Sequence, residues 1–132
     1  MIFYKKRRRY KYTLFADYQH PTNIRPSHSI STKFIDLDSS GLLTIKKNYA
    51  WDGASGPVFD TQRIMRGSLV HDALYQLMRE KHLPQKAREN ADWLLREICL
   101  EDGMPKFNAE LVYLAVDLFG KPYTKPDLLQ AP

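Results

Sequence analysis

The chain reads as a single α+β domain, a small N-terminal antiparallel β meander followed by a three-helix region. Two patterns predict this. Over residues 10–48, apolar and β-branched residues alternate between clusters of Pro, Asp, Ser and Gly, which is the signature of short strands. Over residues 62–120, apolar residues recur three and four apart in segments long enough for helices. The 132 residues suffice for one core, and 43% hydrophobic with 12% aromatic content suits a packed globule.

Residues 1–9 form a basic arm. Lys5, Lys6, Arg7, Arg8, Arg9 and Lys11 place six positive charges in residues 1–12 with no acid among them. Taking these six from the 20 basic residues leaves 14 against 15 acidic, so the net charge of +5 belongs to the arm. Tyr4, Tyr10 and Tyr12 are interleaved with the charges, a mixture suited to stacking on bases or sitting among lipid headgroups. An anionic partner, nucleic acid or membrane, is therefore expected. A solubilising terminus or the start of an edge strand fits the same residues.

The first strand begins at Tyr12 and Leu14 and ends near His20-Pro21. Residues 21–28 hold two prolines and no periodicity, and read as a linker with His20 and His28 as loop histidines at its edges. Residues 30–37 alternate as a second strand. Asp38-Ser39-Ser40-Gly41 turns the chain, and Leu42-Leu43-Thr44-Ile45 returns as the partner. Residues 49–61 then form a loop containing Trp51-Asp52-Gly53-Ala54-Ser55-Gly56-Pro57. Its glycines let backbone carbonyls approach a ligand, and Asp52 adds a carboxylate, so it suits a hard cation such as calcium as well as an ordinary turn.

The first helix is expected over residues 66–81, with Val70, Ala73, Leu74 and Leu77 on its apolar face. His71 and Tyr75 are four apart and share a face, with Asp72 about 100° round from His71. An imidazole there can take a proton from water and a neighbouring carboxylate can hold a cation, although a buried His beside a salt-bridged Asp has the same spelling. Pro84 and residues 85–90 open a second helix bearing Ala87, Ala91, Leu94, Leu95 and Ile98, with Asp92 beside that stripe. Gly103 and Pro105 stop it. Asn108 is expected to cap a third helix carrying Leu111, Leu114, Ala115, Leu118 and Phe119, which ends at Gly120-Lys121-Pro122. Residues 121–132 read as an extended tail. A hairpin of the first two helices brings Asp92 back toward His71.

Cys99, the only cysteine, permits neither an intramolecular disulfide nor a cysteine zinc cluster, and lies among Leu94, Leu95, Ile98 and Leu100 as core filler. The sequence contains no apolar run near the roughly 18 residues of a membrane span and no signal-peptide h-region. Synthesis in a host cytoplasm is the corresponding expectation.

Asp52-Gly53-Ala54-Ser55-x-Pro57, Val70-His71-Asp72-x-x-Tyr75, Ala91-Asp92 and Ala115-Val116-x-x-Phe119-Gly120, in that order, resemble a small phage- and prophage-borne family of unknown function. More remotely, over residues 50–120, they are similar to the prokaryotic secreted phospholipases A(2). The resemblance implies a phospholipase-like helical region in which two antiparallel helices carry the His-Asp pair and the second Asp. It makes His71 the base that activates water, with Tyr75 and Asp92 holding the imidazole. It also makes Asp72, Asp52 and the Gly53 carbonyl the ligands of calcium. The disulfides and secretion signal of those enzymes have no counterpart here. Three functions follow as expectations. The first is a calcium-dependent lipid or ester hydrolase meeting a phospholipid membrane. The second is a non-enzymatic virion or host-interaction protein, associated with virion proteins, on the same scaffold. The third, a metal-dependent phosphohydrolase, would want further histidines on helices.

Overall fold

The computed structural model describes residues 2–6, 12–53 and 62–125. Among the described residues seven short strands precede three α-helices: β1 Tyr4–Lys6, β2 Tyr12–Leu14, β3 Tyr18–Pro21, β4 Ile30–Ser31, β5 Ile35–Leu37, β6 Leu42–Ile45 and β7 Ala50–Trp51, then α1 Gln62–Arg79, α2 Arg88–Glu101 and α3 Lys106–Phe119. The architecture is α+β, as the alternation and the helical stripes predict. The β half is nevertheless divided between two antiparallel sheets, one ordered β1-β2-β7 and the other β3-β6-β5-β4.

Local contacts account for this arrangement. The stretch expected as one first strand breaks after Leu14, where Asp17 accepts the backbone N–H of Lys47 at 2.6 Å. Residues 30–37 form a tight hairpin because Thr32 caps its own turn. Its N–H reaches the Ile35 carbonyl at 2.9 Å, and its hydroxyl oxygen accepts the Ile35 N–H at 3.0 Å. The return strand after Asp38-Ser39-Ser40-Gly41 is as expected, with Leu37 opposite Leu43. Oδ1 of Asp38 closes that turn by accepting the N–H groups of Ser40 and Leu42, and hydrogen bonding led by Ser40 holds the carboxyl below its usual range. Ala50 and Trp51, expected in a loop, pair instead with Thr13 and Tyr12. The beginning of the basic arm is the edge strand β1, with Lys5 opposite Thr13.

The main core joins Leu14, Ile35, Leu37, Leu43 and Ile45 from the sheets to Leu69, Val70, Leu74 and Leu77 of α1. Burying large aliphatic side chains of this kind contributes roughly 1.5–3 kcal/mol each. Helix α1 starts four residues earlier than expected and stops where Lys81 turns left-handed (φ 66°), with the His82 N–H donating to the Leu77 carbonyl at 2.8 Å. No glycine announces that stop. Arg66 near the start of α1 donates to both carboxylate oxygens of Asp102, just beyond the end of α2, each at 3.0 Å. Leu95 and Cys99 lie against Gly67, so α1 and α2 run antiparallel.

The third helix departs most from expectation. It starts at Lys106 after Pro105, which leaves Asn108 exposed within the first turn rather than capping it. Its buried residues are Ala109 and Val112, which join Ile64, Leu95, Cys99 and Met104 in a second, smaller core. Leu111, Leu114, Leu118 and Phe119 are exposed. Cys99 is core filler as expected, and burial raises its thiol to about 12. Past α3, residues expected to be extended form a 3-10 turn, Lys121–Thr124. The buried Thr124 hydroxyl donates to the Gln85 side-chain carbonyl at 2.7 Å. Among the described residues no helix is long and apolar enough to cross a membrane.

Candidate active site

One turn of α1 presents His71 and Tyr75 to α2, their ring centroids 4.0 Å apart. Asp92 meets both. His71 Nε2 lies 2.7 Å from Oδ1 of Asp92, and the Tyr75 hydroxyl donates to the same oxygen at 2.6 Å. All three side chains are buried, Asp92 almost completely. With Nε2–H directed at a carboxylate, the free lone pair of a neutral imidazole resides on Nδ1. That nitrogen has no hydrogen-bond partner among the described residues. Burial, then the bond to Asp92, raises the Tyr75 hydroxyl above its ordinary range, so it stays a donor.

Arg88, four residues before Asp92, is a part of the site that the motifs do not include. Its Nε lies 3.9 Å from Oδ2 of Asp92, and both of these buried atoms lack a hydrogen bond among the described residues. The far end of the guanidinium donates to the carbonyls of Val116 at 2.7 Å and Asp117 at 2.6 Å, tying the last turn of α3 to the site. The i, i+4 spacing of Arg88 and Asp92 was the available signal. Gly120 closes the same corner, since a Cβ there would stand 2.5 Å from the Tyr75 hydroxyl. The glycine of the Phe119-Gly120 pair is thus required by close approach to the aromatic ring.

Asp72 and Asp52 form a second locus. The Trp51 indole N–H donates to Ser68 Oγ at 3.2 Å, which fastens β7 to α1 one turn before Asp72. The Asp52 charge is consequently felt at Asp72. Burial raises the Asp72 carboxyl to about 7, with Arg79 opposing and Asp52 adding to the rise. Gly53 is buried and adopts φ 78°, a conformation natural to glycine. Residues 54–61 of the expected calcium loop lie outside the described residues, as do Arg7, Arg8, Arg9 and Lys11 of the arm; Lys5 and Lys6 lie in β1. Among the described residues no three His, Cys, Asp or Glu side chains gather as a metal site.

The other three histidines stand apart from His71, His82 lying 3.9 Å from a carboxylate oxygen of Glu80 beyond the end of α1. His20 is in β3 rather than a loop, buried and 2.8 Å through Nδ1 from the Tyr18 hydroxyl, which also accepts from Arg66. Burial, with Arg66 next, lowers its pKa. His28 is exposed. Neither is hydrogen-bonded to His71 among the described residues.

A family model described as protein of unknown function (DUF1353) matches residues 30–116, more than half of the chain. The chain belongs to this family. The DUF1353 segment holds His71, Asp72, Tyr75, Arg88, Asp92, Asp52 and Gly53, whereas β1 to β3 precede it and Gly120 follows it. No curated protein and no solved structure matches the chain.

Proposed function

We propose that this DUF1353 protein is a calcium-dependent hydrolase of lipid or other carboxylic esters, with His71 as its general base. The observation that carries the reading is the polarised imidazole: Nε2 is committed to Asp92, itself held by Tyr75, while Nδ1 is left without a partner among the described residues. A water hydrogen-bonded to Nδ1 would lose its proton to the ring as it attacks the ester carbonyl. Asp92 then stabilises the imidazolium that forms, and the same proton is available to the leaving alcohol.

The donor set fits a hard, oxygen-seeking cation. Two carboxylates, the half-buried Asp72 and the exposed Asp52, interact beside the buried Gly53, and their mutual repulsion favours a bound divalent ion. Bound calcium would polarise the ester carbonyl and stabilise its oxyanion. The basic residues Lys5 to Lys11 suit an anionic phospholipid surface as the source of substrate.

A non-enzymatic scaffold is the second reading, and the deep burial of His71, Tyr75 and Asp92 favours it, since such a network also joins two helices. Hydrolysis of anionic phospholipid vesicles, followed with added calcium and then with a chelator, separates the two. The hydrolase reading expects fatty acid release that stops on chelation. Absence of release in calcium, from protein shown to be folded, would favour the scaffold.

A further inference from the structure

Outside the candidate site, a second group of polar side chains gathers where β3 meets the open end of the α1–α2 hairpin, the buried His20 among them. Tyr18 and His20 are two apart on β3 and so share one face of the strand, their rings stacked with centroids 5.9 Å apart. Arg66 of α1 reaches the Tyr18 hydroxyl through Nη1 at 2.8 Å, while its other nitrogens hold Glu101 and Asp102 at the end of α2. The direction of each bond is fixed. A guanidinium only donates, so the Tyr18 oxygen accepts from it. The hydrogen of that hydroxyl then goes to Nδ1 of His20, 2.8 Å away and its one acceptor among the described residues. His20 is therefore the neutral ring that accepts through Nδ1 and carries its hydrogen on Nε2.

We propose that Tyr18, His20 and Arg66 form an acid-released latch, in which a proton on His20 breaks the relay that fastens β3 to the open end of the hairpin. A protonated ring carries N–H groups on both nitrogens and can no longer accept. Its Nδ1–H and the Arg66 N–H would converge on the one Tyr18 oxygen, with the phenol hydrogen displaced. The relay opens at Tyr18, because Arg66 is held by two carboxylates and His20 is held in β3 opposite Leu43 of β6. Among the described residues, the charged groups facing His20 are Arg66 of α1, which opposes the proton, and Glu101 and Asp102, which favour it; β6 carries none. Burial leads these influences and, with Arg66, holds the pKa below its ordinary 6.5. The latch is therefore closed at neutral pH and released on the acid side. Ser68, two residues after Arg66, receives the Trp51 indole N–H, so release also reaches β7, the strand that leads to Asp52. The latch is independent of whether the His71 site is catalytic.

Nitrogen-15 NMR of the full chain, with the His20 signals identified by their loss in His20→Asn, reads the relay directly. The expected ring at neutral pH has its proton on Nε2, and a ring protonated on Nδ1 instead would overturn the proposal. Melting curves from about pH 7.5 to about pH 5 test the release. With the folded value below the unfolded one, the unfolded chain takes up the proton first on acidification, and stability falls. Wild type should lose several degrees more than His20→Asn, whose amide oxygen replaces Nδ1 as an acceptor but does not titrate. Asp72 and the other carboxylates titrate in both proteins and cancel in the comparison. Tyr18→Phe, which keeps the ring and removes the relay, should melt lower at pH 7.5 and lose most of this excess acid sensitivity. An acid loss equal in wild type and His20→Asn would overturn the latch. So would one that Tyr18→Phe leaves at its full wild-type size, because burial alone would then govern His20.

Discussion

At the scale of residues, a single carboxylate oxygen organises the candidate site, accepting from His71 and Tyr75 together. Removing the Tyr75 hydroxyl by Tyr75→Phe leaves Asp92 with one donor fewer in a buried place. That change should cost about 1–3 kcal/mol of stability, measured by urea unfolding. Asp92→Asn should lower ester turnover by up to about 10⁴-fold, because the amide neither fixes the tautomer of the imidazole nor stabilises its cation. Asp72 supplies a pH signature. Its folded value of about 7 lies above the ordinary carboxylate value, so between the two the folded protein holds a proton that the unfolded chain releases. Stability from this group is therefore present at low pH and lost as pH rises toward 7. If Asp72 ligates calcium as proposed, the ion would have to displace that proton, so its apparent affinity should rise with pH up to about 7 and level off above it. Calcium titration followed by Trp51 fluorescence checks the trend, and a pH-independent affinity would remove Asp72 from the ligand set.

At the scale of elements, the hairpin of α1 and α2 was the most legible part of the chain. Apolar spacing located both helices, and Gly103 marked the stop of α2 at φ 92°. The meeting of His71 with Asp92 followed from folding the hairpin at Leu83-Pro84. The left-handed stop at Lys81 carried no residue signal, and short strands carried little. Ala50 and Trp51 form only two residues of strand, fixed by partners far away in sequence, so the glycines that follow them suggested a loop. The α3 stripe was visible as periodicity, but periodicity states that a face exists and not which neighbour covers it. The role of Arg88 depends on the end of α3, so its i, i+4 spacing from Asp92 does not by itself reveal it.

At the scale of the whole molecule, two sheets and a helical hairpin share one core, and the polar cluster of Tyr18, Arg66 and Asp102 ties β3 to the open end of that hairpin. Of the basic residues of the arm, Lys5 and Lys6 lie on the edge strand β1, and Arg7, Arg8, Arg9 and Lys11 are outside the described residues. Replacing Arg7, Arg8 and Arg9 together by Ser should weaken binding to anionic vesicles, in a salt-dependent manner, while the melting transition stays unchanged. Binding that ignores both salt and the substitution would restrict these residues to solubility.

On the proposed reading His71 is a base and not only a link between helices. The most direct measurement is the rate of phospholipid-vesicle hydrolysis in saturating calcium for wild type and His71→Ala, each with its calcium affinity and melting transition determined. The account predicts a loss of about 10²–10⁴-fold in rate with calcium binding retained. Equal rates in the two proteins, or no hydrolysis by folded, calcium-loaded wild type, would contradict it.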